Sequence, residues 1–386
     1  MTIRPFRILR MINGLGQGGA EESLRKLTEV TKGSGSNALI VNLARGGALR
    51  PEFDRMGQTI VDLGMSRVPS PSKLWRLRQI AHEWNPDIIE GWMVHANVLA
   101  SVLGYSLPQA RVVWNVRADL SPSTERRLTR SLTRLGIPLS HNVDAIVYNS
   151  ALAAEQYQAF GYTSRRARFI PNGFDTKAFV GGAARKQEAR ARFGLPMDSS
   201  IVGHVSRWHP EKNHRALLDA FSLVHKGRPD VILVMAGKDL DASNSSLTQE
   251  LEARGLRDCT VALGSVRPSA SLFPAFDAFA LTSLREGFPN VLGEALASGV
   301  PCVSTDVGGC REVIGDSAVY PVGDTAGLAQ GLLDILAQPA DKRDRGADEG
   351  RRRVESLFSI EALGQRYLEL YRELLATPLI RASKVR

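Results

Sequence analysis

Short apolar runs of strand length alternate with amphipathic stretches along most of the chain. In the first half the runs at 6–11, 38–43, 88–91, 112–115, 145–148 and 167–170 read as strands. Helical spacing lies between them, most clearly at 21–31 and 71–82. The segment 170–175 (Ile-Pro-Asn-Gly-Phe-Asp) is a turn-rich boundary, because proline fixes φ and Asn-Gly accepts a tight turn. A charged stretch at 185–193 follows. A second series of strand-like runs then occupies 201–205, 231–236, 260–263, 278–281 and 301–305. The last strongly helical stretch is 360–375, and the tail from Thr377 to Arg386 lacks periodicity and is expected to fray. Strand and helix in strict alternation predict an α/β fold built from two parallel sheets. Ligands of such sheets bind in the crevice at the carboxyl ends of the strands.

The length of 386 residues suits two domains rather than one core. The longest apolar runs are strand-sized, well short of a membrane span. The basic first ten residues run straight into a strand pattern without a signal-peptide core, which predicts a cytoplasmic chain. Three scattered cysteines, Cys259, Cys302 and Cys310, include no CxxC pair and read as reduced structural thiols rather than disulfides or zinc ligands. The net charge of +9 is unevenly placed. Residues 1–190 hold 26 Lys and Arg against 15 Asp and Glu, while the remainder holds 23 against 25. A basic first half suits a phosphorylated acceptor, an anionic membrane surface or nucleic acid, or serves solubility alone. With aromatics at 6% and no nucleic-acid-reading motif, nucleic acid is the weakest of these.

Gly14-Leu15-Gly16-Gln17-Gly18-Gly19 fits GxGxxG, after a strand and before a helix, the setting of a phosphate-cradling turn. A dinucleotide-binding dehydrogenase would want an acidic residue about 20 positions on, for the ribose hydroxyls. None stands between Glu29 and Glu52, although Arg45 would suit a 2′-phosphate. The alternative is that Gly16 and Gly18 let the backbone approach a ligand in the cleft. Glu21 and Glu22 then fall in the first helical turn, where carboxylates suit the helix dipole.

The second half carries a more specific constellation. A strand at 201–205 runs into a loop holding Arg207 and, five residues on, Lys212, cations suited to a diphosphate. Further along, Glu286 and Glu294 lie eight residues apart across a Gly287-Phe288-Pro289 turn and a helix that starts near Asn290. That helix start offers unpaired N–H groups to phosphate, and carboxylates accept from sugar hydroxyls.

At these residues the chain closely resembles the retaining glycosyltransferases of family 4, group 1, which have the GT-B fold of two Rossmann-like domains facing a cleft. Three segments carry the resemblance: 203–213, here with Ser206 before Arg207; the E-x7-E pair Glu286 and Glu294; and the Ile170-Pro171-Asn172-Gly173-Phe174-Asp175 linker. Leu263-Gly264-Ser265-Val266 and Val307-Gly308-Gly309-Cys310-Arg311-Glu312 are weaker echoes. The resemblance implies an acceptor-binding domain at 1–172, a nucleotide-sugar-binding domain at 173–358, and a C-terminal segment at 359–386 whose helix returns toward the first domain. It implies that Arg207 and Lys212 hold the donor diphosphate, Glu286 lies beside the transferred sugar, and Glu294 meets the ribose. Gly287, Phe288, Pro289, Asn290 and Val291 would add backbone donors, Ser265 and Val266 would flank the base, and Gly16 and Gly18 would close over the donor. The implied reaction moves a hexose or related sugar, with retention, from a UDP- or GDP-sugar to a glycan or lipid-linked acceptor in cell-surface polysaccharide, lipopolysaccharide or glycolipid synthesis. The nucleotide sugar is a substrate; no cofactor and no metal are expected, and no Asp-x-Asp stands where it could hold one.

One departure concerns the acceptor side. Relatives often carry a histidine near the reacting sugar where this chain reads Val113-Trp114-Asn115-Val116-Arg117-Ala118-Asp119. Asn115 or Arg117 takes that place, with Arg117 a further cation for phosphate and Asp119 a lesser candidate. His95, after the preceding strand, is the remaining cleft candidate, and a structural helix-start histidine is its alternative role. The missing histidine is also the feature that favours a non-catalytic nucleotide-sugar-binding module, against which Arg207, Lys212, Glu286 and Glu294 stand intact. A different nucleotide-sugar or NADP-dependent enzyme on this architecture is the other alternative. Finally, Arg126, Arg127, Arg130 and Arg134 alternate with leucines through 121–139. That pattern is a basic amphipathic helix, suited to the inner face of an anionic membrane or, more plainly, to packing its leucine face on the core.

Overall fold

The computed structural model describes residues 5–65, 70–120 and 127–378. Its first part alternates β1 (Phe6–Ile12), α1 (Gly19–Thr31), β2 (Ser36–Asn42), α2 (Arg50–Arg55), β3 (Ile60–Asp62), α3 (Pro71–Trp84), β4 (Ile88–Trp92), α4 (Met93–Ser106), β5 (Arg111–Val116), α5 (Arg127–Ser140), β6 (Ala145–Tyr148), α6 (Ala151–Ala159) and β7 (Ala167–Phe169). The second continues with α7 (Ala183–Arg192), β8 (Ser200–Val205), α8 (His214–Gly227), β9 (Val231–Ala236), α9 (Ser245–Glu252), β10 (Thr260–Ala262), β11 (Ala278–Leu281), α10 (Asn290–Ala297), β12 (Cys302–Thr305), α11 (Cys310–Ile314), β13 (Val319–Tyr320), α12 (Thr325–Ala337) and α13 (Ala340–Phe358). A final helix, α14 (Ile360–Ala376), belongs to the first unit. The chain therefore crosses between two compact units at Gly173–Phe174 and again at Ser359–Ile360.

Both sheets are parallel, ordered β3-β2-β1-β4-β5-β6-β7 and β10-β9-β8-β11-β12-β13. In each the strand order reverses beside the first strand, between β1 and β4 and between β8 and β11, the switch point at which such sheets bind ligands. β1 shows how the sequence fills the layers. Leu9 and Met11 face one core, with Leu77, Ala96 and Leu103 from α3 and α4, while Ile8 and Ile12 face another with Leu24 of α1 and Leu363 of α14. Each such fully buried aliphatic side chain contributes about 1.5–3 kcal/mol.

Some expectations are revised. The charged stretch at 185–193 falls in α7 and its C-cap Phe193, and Arg190 there is buried and binds Asp277 at 2.7 Å. Thr377 does not fray, because its side chain and carbonyl accept from Arg166 and Arg111. The rest of the tail from Leu379 lies outside the described residues, as do residues 121–126 with Arg126. The leucines of α5 do not form one inward face. Thr133, Gly136 and Ser140 are buried there, and Leu128 and Leu135 face outward.

A charged network runs through the core of the first unit. Arg10, in mid-strand with no exposure, donates to Glu90 of the neighbouring strand at 3.1 Å. Tyr371 and Asn115 donate to the other Glu90 oxygen at 3.0 and 3.1 Å. Tyr367 donates to Asn115 at 2.5 Å and also pairs with Arg117. Burial pushes both phenols up, so they remain protonated donors. The two tyrosines belong to α14, so buried polar bonds as well as apolar packing join that helix to β1, β4 and β5.

Candidate active site

The carboxyl edge of the second sheet brings together residues from four loops. After β8 the chain passes Ser206 and Arg207 into a single turn over Pro210–Lys212, which the His209 ring caps by accepting from the Glu211 N–H. Asn213 then takes a left-handed φ of 51°, and α8 begins. The turn aims Lys212 at the loop after β11, where its Nζ meets Glu286 Oε1 at 2.5 Å. Ser283 donates to the same oxygen at 2.7 Å. The two loops are locked further: Thr282 Oγ1 donates to the carbonyls of Lys212 and Asn213, and the Leu284 N–H donates to Glu211.

The loop after β12 supports Glu286 from behind. Gly308 has φ +53°, and a Cβ there would lie 2.0 Å from the Glu286 carbonyl oxygen, so both the turn and the approach require glycine. The Gly309 N–H donates to the Gly287 carbonyl at 3.0 Å, and buried Phe288 stacks on Phe174. Pro289 caps α10, whose first residues Asn290 and Val291 remain partly exposed, and Glu294 sits half-buried in its second turn. Ser265 is exposed after β10, and Val266 packs on the core margin.

Arg207 is the freest of the cations, 58% exposed with Glu211 no nearer than 3.9 Å. Arg285 stands 3.6 Å from the same carboxylate. The residues that sequence reasoning missed are thus Ser283 and Arg285, and Gly308 stood only within a weak motif with no role assigned. The Gly308-Gly309 pair was visible as a motif; the approach of Ser283 to Glu286 depends on a turn that spacing alone does not specify. Among the described residues no group of three His, Cys, Asp or Glu side chains is arranged to hold a metal ion.

Behind Lys212 runs a chain of three hydrogen bonds. The Ala280 carbonyl can only accept, so His204 carries its proton on Nδ1 and donates there at 2.9 Å. Ser206 Oγ then donates to His204 Nε2 at 2.8 Å and accepts from His214 Nε2 at 2.9 Å. Burial pulls His204 down to about 4. Burial, then the charges on His204 and Lys212, pull His214 down to about 2. Both values lie below the unfolded value near 6.5, so as pH falls the unfolded chain takes up protons first. This contribution to stability is complete above about pH 6.5 and is lost below it, by about 1.4 kcal/mol per pH unit for each imidazole. Urea denaturation at pH 7.5 and 5.0 should show that loss, and His204→Gln should reduce it; an unchanged pH difference in the variant would contradict the assignment.

Among the candidates in the first unit, Arg117 donates to Asn115 at 3.3 Å. Gly14, Gly16 and Gly18 all lack a left-handed φ; Gly47 is the glycine that close packing requires, since its Cβ would lie 2.3 Å from the Leu15 carbonyl oxygen. At Gly16 nothing comes nearer to a Cβ than Glu21 Oε1 at 3.9 Å. His95, in the first turn of α4, is half-buried and 3.4 Å from Asn13 Nδ2, at the β1/β4 switch point. Burial lowers its pKa. The preceding Met93 holds φ +72°, a strained value for a non-glycine residue.

Asn115, Arg117 and Asp119 are all buried. Asn115 has no exposure and is engaged by Glu90, Gly91, Asn97 and Tyr367. Arg117 stacks on Trp92 at 4.7 Å and donates to the Ile170 carbonyl and to Asn172, so it is no free phosphate cation.

Comparison with known proteins agrees with this architecture. The family model for glycosyltransferase family 4 matches residues 17–178, and that for glycosyl transferases group 1 matches residues 199–338. The chain is 29% identical to N-acetyl-α-D-glucosaminyl L-malate synthase of Bacillus anthracis, over 78% of each chain. It is 26% identical to the lipopolysaccharide core biosynthesis mannosyltransferase LpsB of Rhizobium meliloti, over 89% of this chain and 95% of that one. Among solved structures, Anabaena HepE in complex with UDP superposes with a TM-score of 0.84 at 22% identity, covering 95% of this chain and all of that one. The chain is a member of the group 1, family 4 glycosyltransferases and has the GT-B fold of two parallel-sheet Rossmann-like domains.

Proposed function

We propose that this glycosyltransferase takes a hexose or related sugar from a UDP- or GDP-sugar and passes it, with retention of configuration, to a glycan or lipid-linked acceptor of cell-surface polysaccharide or glycolipid synthesis. The observation that carries the donor site is the Lys212–Glu286–Ser283 contact at the switch point of the second sheet. Sugar transfer builds negative charge on the departing diphosphate and positive charge at the anomeric carbon. Lys212, held by Glu286, stabilises the first in this reading, together with the freer Arg207 and the N–H groups at the start of α10. In this reading Glu286 both orients Lys212 and accepts from hydroxyls of the transferred sugar, Glu294 accepts from the ribose, and Ser265 and Val266 flank the base. The two cations supply the charge that a metal would otherwise supply. Gly16, where a Cβ would meet nothing nearer than Glu21 Oε1 at 3.9 Å, leaves backbone bare for the ligand, whereas at Gly18 the Glu21 carboxylate would lie 2.3 Å from a Cβ.

His95 is the acceptor-side group. Its lowered pKa keeps it neutral near pH 7, so it can take the proton of an attacking hydroxyl. UDP in HepE and the lipopolysaccharide role of LpsB favour the donor and acceptor classes named. The test is nucleotide release across a panel of UDP- and GDP-sugars with candidate glycan acceptors, followed by NMR of the new anomeric proton. Turnover of one donor in EDTA, with the donor's configuration kept, supports the reading. An inverted product, or turnover lost in EDTA and restored by a divalent ion, contradicts it.

A further inference from the structure

β8 ends at Val205 and α8 begins at His214, and the segment between them carries Arg207 and Lys212. A single hydroxyl joins its two ends. Ser206 Oγ lies 2.8 Å from His204 Nε2 and 2.9 Å from His214 Nε2. The bond from His204 to the Ala280 carbonyl leaves Nε2 of that ring a bare acceptor. Ser206 therefore gives its proton to His204 and accepts from the Nε2–H of His214. The Arg207 carbonyl, 3.3 Å from the same hydroxyl, is the weaker acceptor. To donate to one ring and accept from the other through one atom takes a hydroxyl, which alanine and glycine lack. Both imidazoles are buried, and His214 is steadied by stacking on Trp208 at 4.6 Å.

The segment is anchored on both flanks. The N–H groups of Ser206 and Trp208 donate to the carbonyls of Ala236 and Lys238 at 3.0 and 2.8 Å. A Cβ on Gly237 would lie 1.7 Å from the Ser206 carbonyl oxygen, so that approach requires glycine. At the far end Thr282 Oγ1 donates to the carbonyls of Lys212 and Asn213, and the Leu284 N–H to that of Glu211. The Ser206–His214 bond ties the Arg207 end to the Lys212 end across the base of the segment. We propose that Ser206 is a positioning residue for the donor diphosphate, acting through His214 to hold the backbones of Arg207 and Lys212 at a fixed spacing before the ligand arrives. This inference rests on the transferase reading of the site. A segment ordered in advance spares the ligand the entropy of ordering it, and opening the clasp transfers that cost to binding. Neither cation is removed, so the effect falls on KM more than on kcat.

The experiment is calorimetric titration of the full chain with UDP and with GDP, beside hydrogen exchange without ligand. Ser206→Ala removes the hydroxyl, and His214→Phe keeps a ring against Trp208 but removes the N–H. Each should raise the dissociation constant of the nucleotide that wild type binds by on the order of tenfold. The donor KM should rise in step, and kcat should fall far less. The amides of Lys212 and Asn213, which donate to the carbonyls of His209 and Pro210, should exchange faster in both variants. Ser206→Thr, which keeps the hydroxyl, should restore binding and protection. Melting curves set a temperature at which every variant is folded. Variants that bind nucleotide like wild type, or a threonine variant as weak as the alanine one, would overturn the proposal and leave the hydrogen-bond chain a purely structural role. A wild type that binds neither nucleotide would contradict the transferase reading instead. Exchange then decides the clasp, and unchanged rates at Lys212 and Asn213 would overturn it.

Discussion

Lys212→Ala should lower kcat/KM for the sugar donor by a factor on the order of 10²–10³, the cost of removing one fixed charge-stabilising group aimed at a developing anion. Its ammonium is held from two directions: the turn over Pro210–Lys212 sets the backbone, and Glu286 fixes the head at 2.5 Å. Glu286→Ala should cost a comparable factor, because it frees the ammonium and removes a hydrogen-bond acceptor for the sugar. Since the two groups work as one unit, the double variant should lose much less than the product of the single losses. Steady-state kinetics with a single donor measure all three. Lys212 and Glu286 are only 20% and 13% exposed, so each single substitution leaves a largely buried charge unmatched, and melting curves must accompany the kinetics to establish that the variants are folded. Multiplicative losses would place the two residues in separate tasks.

Glu90→Leu should remove about 3–5 kcal/mol of stability, the cost of leaving a buried charge without its partner. The charge is Arg10, which is fully buried and whose remaining contacts are Thr28 at 3.3 Å and Tyr371 at 3.5 Å. Asn115 and Tyr371 would also lose the oxygen to which they donate. The double variant Arg10→Met with Glu90→Leu should recover a large part of the loss, since an apolar pair of similar volume no longer buries an unmatched ion. Urea denaturation, followed by a probe in the first unit, decides it. A double variant no more stable than Glu90→Leu would mean that Arg10 matters for reasons other than its charge.

What the sequence disclosed follows the range of the interactions. β6, β9 and β11 coincide with the apolar runs 145–148, 231–236 and 278–281, because central parallel strands are covered on both faces. The edge strands β3 and β13 escaped notice: they have three and two residues, are only half-buried, and leave no run to see. The 19 residues of α13 carry so many Arg, Asp and Glu that their composition hides the inward Val354 and Phe358. In the second unit the loops that carry Arg207, Lys212 and Glu286 follow their strands directly, and Glu294 lies in the helix that continues the second loop, so spacing alone was enough to bring them to one edge. The first unit gave less. Asn115 and Arg117 were expected to face a ligand, and they turn inward because Tyr367, some 250 positions later, supplies their partner. No local pattern around residue 115 announces a tyrosine on the last helix. The same holds for Arg190, charged by sequence and structural by virtue of Asp277.

The Lys212–Glu286 edge of the second unit is expected to bind a nucleotide sugar. The most direct measurement is thermal unfolding of wild type, Lys212→Ala and Glu286→Ala across UDP- and GDP-sugars and NADP(H). The account predicts that one nucleotide sugar stabilises wild type, by about 2.7 kcal/mol at 100 times its dissociation constant, and that both substitutions abolish the effect. Stabilisation by NADP(H) alone, or by a nucleotide sugar equally in all three proteins, would contradict it.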